Sequence, residues 1–358
     1  MTQDFLIIGA GIAGLSAAAE LAQLGSVTVL EAEAHPAHHA SGRSAALYEP
    51  RYGLPPVVEL SLASEAAFRA MPGILSDRGL MVLAGADQAA EFDRDVTGFH
   101  LDRIPFAQAQ AMVPILNPYT VAQVAYGVHA WDIDTDLLLQ THQKRLRAAG
   151  GALLTRARVR AITREAGHWR VVHEQGEVTG RTLINAAGAW VDEIAQMAGI
   201  SPLGFTPYRR SMARIPAPGG HDVSRWPMIF GCGESWYAKP DAGALIVSPA
   251  EEDPQAPHDA WADDMVLAEG LARYEERVTE PVTRLIANWA GLRTFAPDRV
   301  PVVGRDLRQP DFFWLAGQGG YGFQTSPAMA GLVVDLLAGR PPGVGVALAD
   351  RLSPERFA

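Results

Sequence analysis

The sequence predicts an α/β protein with a second, mainly β-sheet domain. Its 358 residues exceed the length at which one hydrophobic core usually keeps growing. Residues 5–8 are typical of a short buried strand, and a glycine-rich turn and an alanine-rich helix follow them. Two later stretches, "RGLMVLAG" and "GALIVSP", are typical of sheet strands without such a turn. We therefore expect a Rossmann-like nucleotide-binding domain and a separate sheet domain.

The first turn contains the pattern G-x-G-x-x-G. Gly9 permits a tight turn, Gly11 lets a pyrophosphate approach the backbone, and Gly14 lets the helix pack on the strand. The start of the helix offers free N–H groups to the phosphates. Glu31 ends the next strand, "VTVLE", where a carboxylate accepts hydrogen bonds from the adenosine ribose. The motif therefore predicts a dinucleotide with a free 2′-hydroxyl.

Three other stretches favour FAD over NAD. "SGRSAALYEPRYG" places small residues and Arg43 in a turn, where a nicotinamide enzyme would normally continue with its next strand and helix. "LINAAGAWVDEIA" and "WLAGQGGYGFQTSPAMAGLVVDLLAG" each combine a strand, a turn of small residues and a helix. Small residues let the backbone approach a ligand, and helix N-termini suit an anionic or electron-rich group. Several turns around one flavin fit this pattern.

The composition excludes several classes of function. The formal net charge is −10 and Lys and Arg do not cluster, so we expect no nucleic-acid partner. Asp4 stands where a signal peptide needs positive charge, and three glycines break the apolar run, which argues against a signal peptide. No stretch approaches the roughly 20 apolar residues of a membrane span. We therefore expect no integral membrane segment. The single cysteine, Cys232, fits a reducing compartment, and the chain is expected to be cytoplasmic.

Two polar stretches resemble metal sites but favour other interpretations. His35, His38 and His39 lie in a Pro/Ala loop without acidic or cysteine partners, so a solvated loop and no metal are expected. "WDIDTD" is expected to cap a helix through Asp134 or Thr135.

Further strings carry a family resemblance: "SGRSAA", "DIDTD", "NAAGAW", "YAKPDAG", "WAGLRTF" and "QGGYGFQTS". Over nearly its whole length the chain resembles the D-amino acid oxidase family of FAD-dependent oxidoreductases, above all bacterial D-amino acid dehydrogenases of the D-arginine dehydrogenase type. Glycine and sarcosine oxidases are related members. The resemblance implies a discontinuous FAD-binding domain from residues 1–50, 135–205 and 290–358. A substrate domain would be built from residues 51–134 and 206–289.

The expected cofactor is non-covalent FAD, because no cysteine lies near the flavin turns. The motifs and the resemblance together imply a set of mostly small residues around it. These residues are Gly9, Gly11, Ile12, Ala13, Gly14, Glu31, Ala32, Ser41, Gly42, Arg43, Ser44, Ala45, Ala46, Val159, Ala186, Ala187, Gly188, Trp190, Gly291, Arg293, Gly319, Gly320, Tyr321, Gly322, Gln324 and Thr325.

Two arginines are candidates for binding a substrate carboxylate. Arg293, in "WAGLRTF", matches the carboxylate-binding arginine of the family. A guanidinium suits this task because it forms two parallel hydrogen bonds and keeps its charge. Arg210, in "YRRSMAR", matches a second active-site arginine, and Arg209 beside it is the alternative.

The resemblance also assigns roles to two tyrosines and one glycine. Tyr237 would donate a hydrogen bond to the substrate carboxylate, and Tyr52 would lie over the substrate. Gly320 would accept a hydrogen bond from the substrate amine through its carbonyl oxygen, with Tyr321 and Gln324 beside it in the pocket.

The expected substrate follows from a departure from the D-arginine type. Leu47 and Leu80 stand where that type has a histidine and a carboxylate, and a buried cation without a partner is costly. We therefore expect oxidative deamination of neutral, apolar D-amino acids by hydride transfer from Cα to flavin N5. The alternatives are a glycine- or sarcosine-type amine oxidase and a flavin-binding subunit without turnover. The partners would be a small amino acid and an electron acceptor, either oxygen, a quinone or another, which the sequence leaves open.

Overall fold

The computed structural model describes residues 2–358, and the strands in this range form two large sheets and one small sheet. The strands are β1 (Gln3–Ile8), β2 (Val27–Leu30), β3 (Leu47–Tyr48), β4 (Leu75–Asp77), β5 (Leu80–Ala84), β6 (Asp102–Arg103), β7 (Gln123–Gly127), β8 (Trp131–Ile133), β9 (Ala152–Leu154), β10 (Val159–Glu165), β11 (His168–His173), β12 (Gly176–Asn185), β13 (Thr206–Pro216), β14 (Met228–Gly231), β15 (Trp236–Asp241), β16 (Ala244–Ser248), β17 (Asp253–Pro254), β18 (Ala287–Phe295), β19 (Val302–Arg305) and β20 (Phe312–Ala316).

Helices cover the sheets and connect them. The α-helices are α1 (Ile12–Leu21), α2 (Pro55–Arg69), α3 (Ala89–Phe99), α4 (Phe106–Met112), α5 (Thr135–Ala148), α6 (Val191–Met197), α7 (Asp264–Glu275), α8 (Gly322–Ala338) and α9 (Val346–Leu352). Asp134 is the N-cap of α5, where its carboxylate accepts a hydrogen bond from the Leu137 N–H at 2.8 Å. The predicted capping role of "WDIDTD" is confirmed. Among residues 2–358, no helix is both long enough and apolar enough to cross a bilayer.

The first large sheet has the order β10-β11-β12-β1-β2-β9, with β20 beside β12 and β19 beside β20. Strand β1 pairs in parallel with β12 and β2, and β12 pairs in parallel with β20. Buried residues of α1, α5 and α8 pack in one core with β1, for example Leu15, Leu138 and Leu332 with Ile7. This parallel sheet with packed helices confirms the predicted α/β fold class.

The parallel strands bring the predicted turns together. Ile8 is in register with Leu30 and with Asn185, and Asn185 is in register with Trp314. The carboxyl ends of these strands therefore meet at one edge of the sheet, where ligands bind in open α/β folds. Residues 9–14, 31–33, 186–188 and 317–322 all follow strands at this edge.

The second large sheet has the order β17-β13-β16-β15-β14-β5-β7-β6, and β18 pairs with β13. It contains the two strands predicted from "RGLMVLAG" and "GALIVSP", which are β5 and β16. Most of its pairs are antiparallel, and the β14–β5 pair is parallel. One of its buried cores includes Met81, Trp236 and Leu245.

Strand pairing and packing differ from the predicted domain division in two places. The predicted boundary at residue 290 falls inside β18, which is antiparallel to β13 from Ala287 to Phe295 and so belongs to the second sheet along its whole length. Helix α2 lies within the predicted substrate segment 51–134. Its buried Leu60 and Phe68 nevertheless pack in the same core as α1 and α8. Strand pairing decides the first point and side-chain packing the second, and short motifs report neither.

Candidate active site

Three adjoining cavities follow the edge where the turns meet. The first lies at Glu31 and Val159, the second at the start of α1, and the third beside Tyr52. They measure about 340, 130 and 50 Å³. Gly11 and Gly188 line both the first and the second, while Arg293 and Gly320 line both the second and the third. The cavities therefore form one continuous series.

The first cavity contains the predicted acidic residue of the nucleotide motif. Glu31 is buried, and its two carboxylate oxygens accept hydrogen bonds from the backbone N–H groups of Ala10 and Glu33, both at 2.9 Å. Its carboxylate is thereby held at the glycine-rich turn. The predicted residues that line this cavity are Gly9, Gly11, Glu31, Ala32, Ser41, Arg43, Val159, Ala186, Ala187, Gly188 and Trp190.

Gly9 shows why the turn requires glycine. Its φ angle is +102°, and a Cβ atom there would stand 2.4 Å from the carbonyl oxygen of Ala186. The backbone of the β1 turn therefore packs directly against that of the β12 turn.

The second cavity lies at the N-terminus of α1. The Ser41 hydroxyl accepts a hydrogen bond from the Ile12 N–H at 3.0 Å, which joins the turn of residues 40–43 to the helix start. Arg43 donates to the carbonyl oxygens of Ala260 and Ala290 at 2.7 and 2.9 Å, so it ties this turn to the second sheet. The predicted cofactor residues that line this cavity are Gly11, Ile12, Ala13, Ser41, Arg43, Ser44, Ala45, Ala186, Gly188, Gly291, Arg293, Gly319, Gly320 and Gly322.

The residues of the first two cavities fit FAD. Glu31 offers fixed carboxylate oxygens at one end, and the α1 N-terminus offers a partial positive charge between the cavities. A Cβ atom at Gly188 would meet nothing within 4 Å, so a side chain there would project into the shared space. The chain thus leaves room for an extended ligand with a diphosphate in its middle.

The third cavity brings together the predicted carboxylate clamp and the glycine-rich turn. Arg293 belongs to β18, and a Cβ atom at Gly320 would lie 2.9 Å from its Nη1. The guanidinium therefore packs against the backbone of the turn. Within residues 2–358, Arg293 forms no ion pair with a carboxylate, so its charge remains available to a ligand. The predicted residues that line this cavity are Ser44, Ala45, Ala46, Leu47, Tyr52, Tyr237, Arg293, Gly320 and Gln324.

The two predicted tyrosines reach the third cavity with different partners. The Tyr52 hydroxyl donates to the carboxylate of Glu234. Burial and this carboxylate raise the pKa of Tyr52 well above its ordinary value, so the hydroxyl keeps its proton. The Tyr237 hydroxyl donates to the sulfur of Met212 at 3.2 Å. A thioether is a weak acceptor, so Tyr237 can turn this donor to a stronger partner.

Arg210 lies beside the second cavity rather than the third. It is buried, its Nη2 is 3.3 Å from a carboxylate oxygen of Glu252, and its Nε and Nη1 have no hydrogen-bond partner among residues 2–358. The alternative, Arg209, pairs with Asp253 at 2.7 Å and lines none of the three cavities. Arg210 thus lines the second cavity, which fits the cofactor, whereas the sequence predicted it at the substrate carboxylate.

Five predicted residues do not line the three cavities formed by residues 2–358. Leu80 is fully buried in a core with Phe230 and Tyr237, two residues that line the third cavity, so it packs behind the wall of that cavity and its assignment to the substrate pocket stays a prediction. The others are Gly14 inside α1, Gly42, Tyr321, whose ring packs 5.1 Å from that of Tyr52, and Thr325, whose hydroxyl donates to the Tyr321 carbonyl oxygen.

Sequence reasoning missed two acidic residues of the third cavity, Glu49 and Glu234. It also missed Met228 and Phe230, which continue the apolar wall made by Leu47. Both acids stood within stretches already assigned to the site, "LYEPRYG" and "GESWYAKPDAG". An acidic residue three positions from a predicted active-site tyrosine was the available signal.

The histidine loop is not without acidic neighbours, contrary to the prediction. His39 Nε2 lies 3.2 Å from Glu33, and His38 Nε2 lies 3.3 Å from Asp259. Asp259 comes from a segment distant in sequence, so only the fold reveals this contact. Arginines also pair with these acids, because Arg158 contacts Glu33 and Arg43 contacts Asp259.

Comparisons with known proteins agree with this arrangement. The family model described as DAO, FAD dependent oxidoreductase, matches residues 4–336. Glycine oxidase of Pseudomonas aeruginosa is 27% identical over 363 residues, which cover 96% of each chain. The crystal structure of glycine oxidase from Geobacillus kaustophilus superposes with a TM-score of 0.82 at 21% identity, covering 97% of this chain and 98% of that one. L-proline dehydrogenase from P. horikoshii superposes with a TM-score of 0.84 at 21% identity, covering 99% and 98%.

The family match covers far more than half of the chain, and the fold and the cavities fit the cofactor that the family uses. FAD as the cofactor is therefore confirmed, while the likeness to the D-arginine dehydrogenase type stays a prediction. The chain belongs to the DAO family of FAD-dependent oxidoreductases.

Proposed function

We propose that this protein oxidises the C–N bond of a small amino acid and passes two electrons to non-covalently bound FAD. The observation that carries the proposal is Arg293, a guanidinium without an ion pair at the junction of the second and third cavities. Bound FAD would supply the two-electron acceptor. Cys232 is buried and lines none of the three cavities of the described residues, which supports non-covalent binding.

The side chains of the third cavity divide the work of binding. Arg293 binds the substrate carboxylate through two parallel hydrogen bonds, and Tyr237 adds a donor when it leaves Met212. The Gly320 carbonyl accepts a hydrogen bond from the amine. Oxidation removes a hydride from Cα and a proton from nitrogen, and water then hydrolyses the imino acid to a 2-oxo acid and ammonia. Orientation by these groups is the main contribution of the protein.

The first candidate substrate is a small, neutral D-amino acid. Leu47, Met228 and Phe230 form an apolar wall of the third cavity, which suits a short aliphatic side chain. Leu80 packs in the same core as Met228 and Phe230, behind this wall.

The second candidate is glycine or a secondary amine of the sarcosine type. The third cavity is the smallest of the three, at about 50 Å³. Similarity to glycine oxidases supports this candidate as well as the first. A subunit that binds flavin without turnover is disfavoured, because Arg293 and Tyr237 both reach the cavity.

Anaerobic flavin bleaching tests the proposal. The purified protein is mixed with D-amino acids, L-amino acids, glycine and sarcosine, and flavin absorbance is followed. The matched controls are the corresponding carboxylic acids without an amine and amines without a carboxylate. We expect bleaching only by compounds that carry both an amine nitrogen and a carboxylate on the same carbon atom. Equal bleaching by amines that lack a carboxylate would contradict the role of Arg293.

A further inference from the structure

One buried acid lines the third cavity, and its contacts within the fold account for only one of its two carboxylate oxygens. Glu49 follows strand β3, and only 2% of its surface is exposed. Its Oε1 accepts a hydrogen bond from the Arg51 N–H at 3.0 Å, while its Oε2 has no hydrogen-bond partner among residues 2–358. A buried acceptor without a donor costs stability, so a missing partner is expected at this atom.

The neighbours of Glu49 do not supply that donor. His129 Nε2 lies 3.7 Å from Oε2 and donates instead to the Phe99 carbonyl oxygen at 2.7 Å. The Gln324 amide donates to the carbonyl oxygen of Tyr52 at 3.1 Å. Burial raises the pKa of Glu49 to about 8, so the free carboxyl is largely protonated at neutral pH. A cationic nitrogen bound at Oε2 would lower this pKa and favour the carboxylate.

The other acid of the cavity is differently placed. Glu234 accepts the hydroxyl of Tyr52, so a protein donor already engages it. Glu49 thus has one unpartnered carboxylate oxygen, Arg293 has no carboxylate within ion-pair distance among residues 2–358, and both line the same small cavity. A guanidinium and a carboxyl that a bound cation can ionise match a zwitterionic ligand, which carries one carboxylate and one cationic nitrogen.

We propose that Glu49 binds the cationic nitrogen of the substrate and is, with Arg293, the second charged determinant of specificity. This inference rests on the proposed function and deepens it. The nitrogen belongs either to the α-amine itself or to an ammonium group on the side chain. Either nitrogen would present N–H donors to Oε2 of Glu49. Pairs of ligands that differ by only one of these nitrogens distinguish the two possibilities.

The experiment measures apparent dissociation constants for wild type and Glu49→Gln under anaerobic conditions. Flavin reduction rates at several ligand concentrations are used where reduction occurs, and flavin absorbance changes are used where it does not. The first ligand pair is glycine and acetate, which differ by the α-amine. The second pair is D-lysine and D-norleucine, which differ by the side-chain ammonium. Glu59→Gln is the control, since Glu59 is exposed on α2 and pairs with Arg351.

We expect Glu49→Gln to weaken ammonium-bearing ligands about tenfold while acetate binding changes little. Weaker binding of glycine and D-norleucine assigns Glu49 to the α-amine. Weaker binding of D-lysine alone assigns it to the side chain. Glu49→Asp should retain part of the preference, because it keeps the charge. If Glu49→Gln does not retain FAD, Glu49→Leu replaces it, because leucine leaves no unpartnered polar atom.

Unchanged affinity for all four ligands, or an equal loss for acetate and glycine, would overturn the assignment. The proposed function fails separately, if no amino acid reduces the wild-type flavin. The comparison of glycine with acetate by absorbance then still reports on Glu49.

Discussion

The first and third cavities are assembled in different ways. The first is centred on a turn, a strand and an acid within residues 9–31, and its key contacts involve backbone groups, such as the Ala10 N–H bound by Glu31. The third takes side chains from β3, β14, β15, β18 and α8, which are far apart in sequence. A backbone-built site follows from local sequence, whereas a side-chain-built site depends on how distant strands pack. Variants in the two regions should therefore fail in different ways.

The largest expected effect is the loss of stability in Leu80→Glu, a position in the apolar core beside the third cavity. Leu80 is fully buried in an apolar core, so a carboxylate there has no partner. We expect a loss of about 3–5 kcal/mol in the free energy of unfolding. Denaturant titration of apoprotein and holoprotein measures it.

Leu80→Met is the control, because a volume-conserving apolar change should cost less than about 1.5 kcal/mol. A stable Leu80→Glu protein with increased activity on D-arginine would show that position 80 faces the substrate after all.

Arg293→Lys should separate cofactor binding from substrate binding. Lysine keeps the charge but loses the planar pair of donors, so we expect kcat/KM to fall by about 2–4 kcal/mol in transition-state stabilisation. FAD content should stay close to that of the wild type, because Glu31 and the α1 turn are untouched. Steady-state kinetics on the flavin-loaded variant provide the measurement. Near-normal kcat/KM would refute the carboxylate role.

Glu31→Gln should weaken FAD binding and leave substrate binding unchanged, which is the opposite of the pattern expected for Arg293→Lys. Both oxygens of Glu31 accept backbone N–H groups, so a glutamine must direct its own N–H₂ group at one of them. We expect FAD binding to weaken by about 2–3 kcal/mol, since hydrogen bonds to charged groups have this magnitude. The FAD dissociation constant is measured by fluorescence, with Glu20→Gln as control, since Glu20 pairs with Arg145 and lines none of the three cavities of the described residues. The affinity of reconstituted enzyme for substrate should not change.

The smallest effect concerns the acid sensitivity caused by a buried histidine on α5. Burial lowers the pKa of His142, on α5, to about 4, and neither ring nitrogen has a hydrogen-bond partner within residues 2–358. The unfolded chain, with its ordinary histidine pKa, binds a proton between pH 6.5 and 4 that the folded chain does not. Stability is therefore lost as pH falls through this window.

His142→Leu should remove this contribution. Relative to wild type, we expect the variant to gain about 2 kcal/mol at pH 5 beyond any difference seen at pH 7.5. Denaturant titrations at both pH values measure this double difference. Parallel pH profiles for the two proteins would place the acid sensitivity elsewhere.

Sequence reasoning predicted the motif-built part of the molecule well. The strand that begins the chain, the turn at Gly9 and the acid at Glu31 lie where the motif places them. The pocket was predicted less well, because Glu49 lines the third cavity without having been predicted there, while Leu80 was predicted there and is buried in the core behind it. Proximity in sequence does not report the direction of a side chain in an irregular turn or a strand buried on both faces.

The amino-acid sequence by itself determined the family, the cofactor and the nucleotide end, because glycine spacing and strand ends constrain the backbone locally. Tertiary structure alone decided which charges share the third cavity. Arg293, on β18 of the second large sheet, contacts Gly320 in the turn after β20 of the first large sheet. The loop after β3 places Glu49 at the same third cavity. Such neighbours depend on long-range packing, since contacts such as that between Tyr52 and Glu234 join residues far apart in the sequence.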